Sequence, residues 1–196
     1  MRMDAQDVRQ AVAASRALLD PAADRDWTVP AGDLDLSVAE VVAHIGETLL
    51  WYATDLAAGG PELAVMDARV IADASPHELL TGLTAFAEVL TAVIEAAPPG
   101  ARGYHSQGLA DTSGFAAMAC DEILVHTDDA AHGLGLVFEP DVHLTHRVLT
   151  RLFPDAPRGD RSWPTLRWAN GRCALADHPR RTEWRWHSAP HTGGPL

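Results

Sequence analysis

Lysine is absent from all 196 residues, so the 15 basic side chains are all arginines. Schiff-base chemistry and a lysine nucleophile are thereby excluded. Cysteine is nearly as scarce, with two residues, Cys120 and Cys173, and neither sits in a Cys-x-x-Cys pair. Such usage builds no disulfide framework. Cys120 stands in an apolar stretch, where a small buried side chain is the plain reading and a catalytic thiol has no support. A basic surplus is missing too: the net charge of −12 argues against a nucleic-acid partner, which needs a cationic face. No apolar run approaches the roughly 20 residues that cross a bilayer, because polar residues interrupt each candidate. The opening Met1-Arg2-Met3-Asp4 leads into an amphipathic acidic segment rather than the apolar core of a signal peptide. No membrane partner and a cytoplasmic location are the expectations. Neither a Gly-x-Ser-x-Gly turn nor a glycine-rich phosphate loop is present; Gly133-Leu134-Gly135 ends a helical pattern instead of opening one.

What is present is helical periodicity. Hydrophobic residues make up 47% of a chain sized for one domain, with or without a small appendage. Residues 4–19 carry Val8, Val12, Leu18 and Leu19 on or near one face. A second helix opens on a capping box, Ser37 with Glu40, continues through Val41, Ile45, Leu49, Tyr52 and Leu56, and stops at Gly59-Gly60-Pro61. A third opens on Ser75 and Glu78, with Pro76 suited to the first helical position, and ends before Pro98. After a polar, irregular segment at 101–108, a fourth runs from near Thr112 to about Gly133. Four long amphipathic helices with these connections predict an all-α four-helix bundle over 1–139.

The remaining residues, 140–196, differ in character. Residues 1–140 hold 22 acids against six arginines, whereas 141–196 hold five against nine. A shorter helical pattern starts at Pro140 and closes at Pro154, followed by a stretch punctuated by proline and glycine. Trp184-Arg185-Trp186-His187 alternates as a short strand would, and Trp163, Trp168, Trp184 and Trp186 suit a small core. The reading is a small C-terminal α+β appendage packed on the bundle, its last six residues mobile. The arginines at 167, 172, 180, 181 and 185 either line a pocket for an anion or stack on tryptophan.

The chemistry concentrates in Glu122 and His126. Four residues along a helix turn the chain by about 400°, so both side chains leave one face, one turn apart. Alone, such a pair is more often a solvated contact on a surface helix. Here Phe115, Met118, Cys120, Ile123, Leu124 and Val125 surround it, and a buried charge needs a partner. A divalent metal is one. His44, beside Val41 and Ile45, is the candidate third ligand; its alternative is a hydrogen-bonded core histidine. Three protein ligands with open positions are the pattern of a catalytic rather than a structural site. Asp129, three residues past His126, either orients that imidazole or faces solvent, while Asp121 and Asp128 read as solvated. Glu139 and His143 repeat the spacing, but Pro140 disfavours a helical Glu139 and makes it a cap; His143 and His146 are then surface or packing residues.

These stretches resemble a known family. Trp27 to Pro30 followed by Val42-Ala43-His44-Ile45, the run Glu122-x-x-x-His126-x-x-Asp129, and Leu166-Arg167-Trp168-Ala169-Asn170-Gly171-Arg172 through His187 are similar to the DinB/YfiT-like metal-binding bundles. Within them, the match is to the mycothiol-dependent maleylpyruvate isomerase group. The resemblance implies a divalent ion, usually Zn2+, on His44, Glu122 and His126, with water in the remaining positions. It also implies mycothiol or a similar thiol as cosubstrate, and either thiol transfer to a small electrophile or cis–trans isomerisation of an activated double bond. The appendage is short beside the full isomerase's second domain. A metal-dependent hydrolase and a non-catalytic metal- or ligand-binding bundle of the stress-response type are the alternatives. A homodimer is compatible with the apolar helices.

Overall fold

A computed structural model describes residues 2–63, 65, 67–159 and 161–190. The final six residues, expected to be mobile, lie outside the described residues. Four long helices form the bundle: α1 (Ala5–Leu19), α2 (Val38–Ala58), α3 (Pro76–Ala96) and α4 (Thr112–Gly133). Each start is chemically marked. Asp4, Ser37 and Ser75 close reciprocal capping boxes with Asp7, Glu40 and Glu78, and Asp111 accepts from the Gly114 amide.

Packing contacts place α1 and α2 diagonally, each lying against both α3 and α4. The end of α4 meets the start of α2: a Cβ at Gly133 would collide with the Pro30 carbonyl and the Val38 side chain. At the other end, the irregular segment after α3 holds a minimal hairpin, β1 (Arg102–Gly103) paired antiparallel with β2 (Ala110–Asp111). There a Cβ at Gly103 would lie 2.7 Å from the Asp55 carbonyl oxygen and from Leu56 Cα, so glycine is what lets the hairpin seat on the last turn of α2. With α2 and α4 antiparallel neighbours, the early part of α2 faces the later part of α4. That fact positions the site.

By length and composition α3 passes as a membrane-crossing helix, with mean hydropathy 1.6 over its best window, contrary to the expectation that polar residues break every candidate. In the fold its Leu79, Leu80, Leu83, Leu90 and Ile94 are buried core. Arg9 and Arg16 of α1 bond Glu88, Glu95 and Thr84 on its flank. Its apolar residues are a core stripe.

The C-terminal extension carries α5 (Val142–Leu152) and α6 (Ser162–Ala169), with α5 packed on both α4 and α6. Asp141, not Glu139, caps α5, because its carboxylate reaches the Leu144 amide. Helix α6 was hidden by Pro164, which sits within the first turn, where a missing N–H costs no helical bond. Trp184 to His187 is irregular and pairs with no strand among the described residues; its backbone is held by the His187 amide on the Leu152 carbonyl, 2.8 Å, and by Arg151 on the His187 and Ser188 carbonyls. Trp163 and Trp186 join the same hydrophobic core as the bundle helices, while Trp168 and Trp184 are half-buried against it.

Candidate metal centre

Helix α4 is buried along most of its length, and its two halves use that burial differently. From Phe115 to Cys120 every side chain is apolar and inaccessible. From Asp121 to Asp129 the same helix carries four carboxylates and one imidazole. Each charge there must find a partner, since an unpaired buried ion is costly.

Glu122 and His126 lie one turn apart, as their spacing requires, and α2 brings His44 against them. One donor atom from each of the three lies within 4.8 Å of the others. Nε2 of His126 is 3.1 Å from Oε2 of Glu122, and Nε2 of His44 is 3.8 Å from the same oxygen. The two imidazoles meet edge to face, centroids 5.1 Å apart. Ligands about 2 Å from a tetrahedral ion stand roughly 3.3 Å from one another, so the trio needs only small side-chain adjustments to hold one. Oε2 of Glu122 is buried and accepts no hydrogen bond among the described residues, although it stands 3.1 Å from the His126 ring. A carboxylate oxygen left so between two imidazoles fits a cation. His44 is 45% exposed against 13% for Glu122 and 16% for His126, which opens the site on the α2 side. The core-histidine reading of His44 is therefore excluded.

Behind His126 stands a relay. Its Nδ1 is 2.9 Å from Oδ2 of buried Asp129. Arg172, from the extension, grips that carboxylate with Nε at 2.9 and 3.1 Å from Oδ1 and Oδ2 and with Nη2 at 2.8 Å from Oδ2. Burial alone would lower the His126 pKa, but the hydrogen bond to Asp129 and the close negative charges of Asp129 and Glu122 outweigh it and push it up to about 9. Burial would raise Glu122 and Asp129; instead the bonds and charge of His126, joined by Arg172, hold both carboxyls below their ordinary value. Of the two readings of Asp129, the one that orients His126 is what the geometry supports.

Asp121 and Asp128, expected to be solvated, are 1% and 3% exposed. Their partners come from the extension, out of reach of local spacing. Asp121 accepts from Asn170 Nδ2 at 3.0 Å and Trp186 Nε1 at 2.8 Å. Burial, then the charge of Glu122, push its carboxyl up to about 7. Asp128 sits 2.9 Å from Arg167 Nε and 3.8 Å from His132 Nδ1, and burial raises its pKa against those two charges.

The extension's arginines are engaged in specific pairs. Arg167 faces Asp128, Arg172 Asp129 and Arg180 Asp33, while Arg181 lies 5.1 Å over the Trp168 ring and Arg185 bonds the Gln107 carbonyl. Sequence reading grouped Arg172 with the other four; the signal that singles it out is spatial. A cavity of about 30 Å³ beside Glu122, His126, Arg172, Trp184 and Trp186 is the floor of the site. A larger one of about 490 Å³ lies on the Trp186–Arg185 side of the extension, away from the three candidate ligands. His143 and His146 are exposed, as expected.

A family model described as the mycothiol maleylpyruvate isomerase N-terminal domain matches residues 8–131, more than half of the chain. The matched span contains His44, Glu122, His126 and Asp129; α5, α6 and Arg172 lie beyond it. No curated protein and no solved structure matches the chain.

Proposed function

The chain belongs to the mycothiol maleylpyruvate isomerase N-terminal domain family, and from that premise we propose that it is a metal-dependent enzyme using a low-molecular-weight thiol. Its ligands are His44, Glu122 and His126, its ion is Zn2+, and its cosubstrate is mycothiol or a similar thiol. The reaction is transfer of that thiol to a small electrophile or cis–trans isomerisation of an activated double bond. A reduced thiol cosubstrate fits a cytoplasmic setting. The observation that carries the reading is the unpartnered, buried Oε2 of Glu122 between two imidazoles.

An ion bound there supplies a Lewis-acid centre that lowers the pKa of a thiol in an open position, giving thiolate at neutral pH. The side chains perform the rest. Asp129 accepts from Nδ1 of His126, which turns Nε2 toward Glu122 and makes it the nitrogen that would hold the ion once its proton is displaced. Buried Glu122 contributes a negative charge that water does not screen. Half-exposed His44 stands on the open side, where thiol and electrophile enter. Trp184 and Trp186 close the floor and keep bulk water from the buried ligands.

The test starts from metal-loaded protein, mycothiol and a panel of small electrophiles, with adducts and isomers followed by mass spectrometry. Thiol-dependent turnover that disappears with the metal supports the reading. Turnover without thiol assigns hydrolysis instead, and firm metal binding with no turnover assigns a binding module.

A further inference from the structure

The relay behind His126 ends on a residue outside the matched span, and we infer that Arg172 is a positioning residue for the metal centre, acting through Asp129 on His126. The inference rests on the metal reading proposed above. Three contacts from two nitrogens of one guanidinium bind both oxygens of Asp129, a side-on arrangement that fixes the carboxylate plane. Arg172 is itself held by Nη1 on the Asn170 carbonyl at 3.2 Å, and Asn170 is tied to Asp121, two turns before Asp129 on α4. The grip on Asp129 thus begins and ends on the helix that carries Glu122 and His126. With its plane set, Asp129 has one oxygen in line with Nδ1 of His126 at 2.9 Å. A free carboxylate at this position would rotate, and the imidazole would lose both its tautomer and its aim. Arg172 is occupied by Asp129 on the face that a substrate carboxylate would need, which assigns it to holding the centre rather than binding substrate.

Arg167 makes the natural control. It comes from the same extension and pairs with the neighbouring Asp128, but makes no hydrogen bond to Asp129 or His126 among the described residues. The measurement is Zn2+ affinity of the full chain by competition with a chromophoric chelator, beside thermal melts of the metal-free proteins. Arg172→Met and Asp129→Asn should each weaken Zn2+ by roughly 10–100-fold, the range found for partners of ligating histidines. The double variant should be no weaker than the worse single one, because both break one relay. Arg172→Lys restores charge without the fork and should recover part of the loss. Arg167→Met should bind Zn2+ like the parent. The His126 Nδ1–H signal in 15N-edited NMR of the Zn2+-loaded parent should vanish in Arg172→Met.

If Arg172→Met keeps parental affinity while His126→Ala loses it, the inference falls and the metal reading stands. The inference also falls if Arg167→Met and Arg172→Met lose affinity equally, since that marks a general loosening of the extension. If the parent and His126→Ala bind Zn2+ alike, both fall together. Should Arg172→Met not fold, Arg172→Lys and Asp129→Asn carry the same comparison.

Discussion

The two halves of α4 are both largely buried and do opposite work. Phe115 to Cys120 carries only apolar, inaccessible side chains and supplies the bundle's core. Asp121 to Asp129 draws a partner from another segment for each of its four carboxylates: His44 from α2, Asn170 and Arg172 from the extension's turn after α6, Arg167 from α6, and Trp186 from the stretch beyond. The lesson is that the extension balances charge. Its arginine surplus faces the acids of the bundle, and those buried acids are tolerable because cations and N–H donors reach them. Among the described residues, two oxygens of this row accept no hydrogen bond: Asp128 Oδ2, which faces Arg167, and Glu122 Oε2, which lies between two imidazoles.

The difference between the halves can be broken from either side. The largest effect is expected at the ligands: Glu122→Ala with His126→Ala should reduce bound metal from about one ion per chain to trace levels by elemental analysis, with the bundle still folded. Next is the apolar half. Phe115→Ala should destabilise by about 3–5 kcal/mol in chemical denaturation while the folded fraction keeps its metal. If instead Phe115→Ala empties the site, the two halves are not separable. Trp186→Phe removes the indole N–H from buried Asp121 and should cost about 1–3 kcal/mol, read from the same curves.

The pH dependence sharpens the contrast. His126, raised to about 9 in the metal-free fold from an ordinary 6.5, contributes stability that is fully present below about 6.5 and lost as pH rises through about 9. Asp121, raised to about 7 from 3.8, adds a contribution present at lower pH that is lost as pH rises through about 7. The metal-free melting temperature should therefore fall between pH 6 and pH 9.5, as read by circular dichroism. Zn2+ affinity should climb over the same range, because binding displaces the His126 proton. A flat metal-free profile would mean that the charged half is not coupled as the distances require. The smallest effect belongs to the rim: Asp33→Asn, opposite Arg180 in an exposed pair, should change stability by less than about 1 kcal/mol.

Much of this was legible along the chain. The capping boxes at Ser37 and Ser75 announced α2 and α3 because both halves of each box lie within four residues. Glu122 and His126 shared a face for the same local reason, and His44 could be nominated because it lies in a strongly periodic helix. The errors fall where a partner is distant. Asp121 and Asp128 read as solvated, since nothing nearby showed that Trp186 and Arg167 would cover them. Trp184 to His187 read as a strand because alternation records which residues are buried, not whether a neighbouring strand exists.

The order of residues alone settled the four bundle helices, their apolar faces and the one-turn spacing of carboxylate and imidazole, all consequences of interactions spanning a few residues. The tertiary fold alone decided that α2 lies antiparallel beside α4, that His44 is half open while Glu122 is closed, and that Arg172 grips Asp129. Those outcomes depend on contacts between segments from 43 to 78 residues apart. No local periodicity encodes them, because they are set by how the whole core closes.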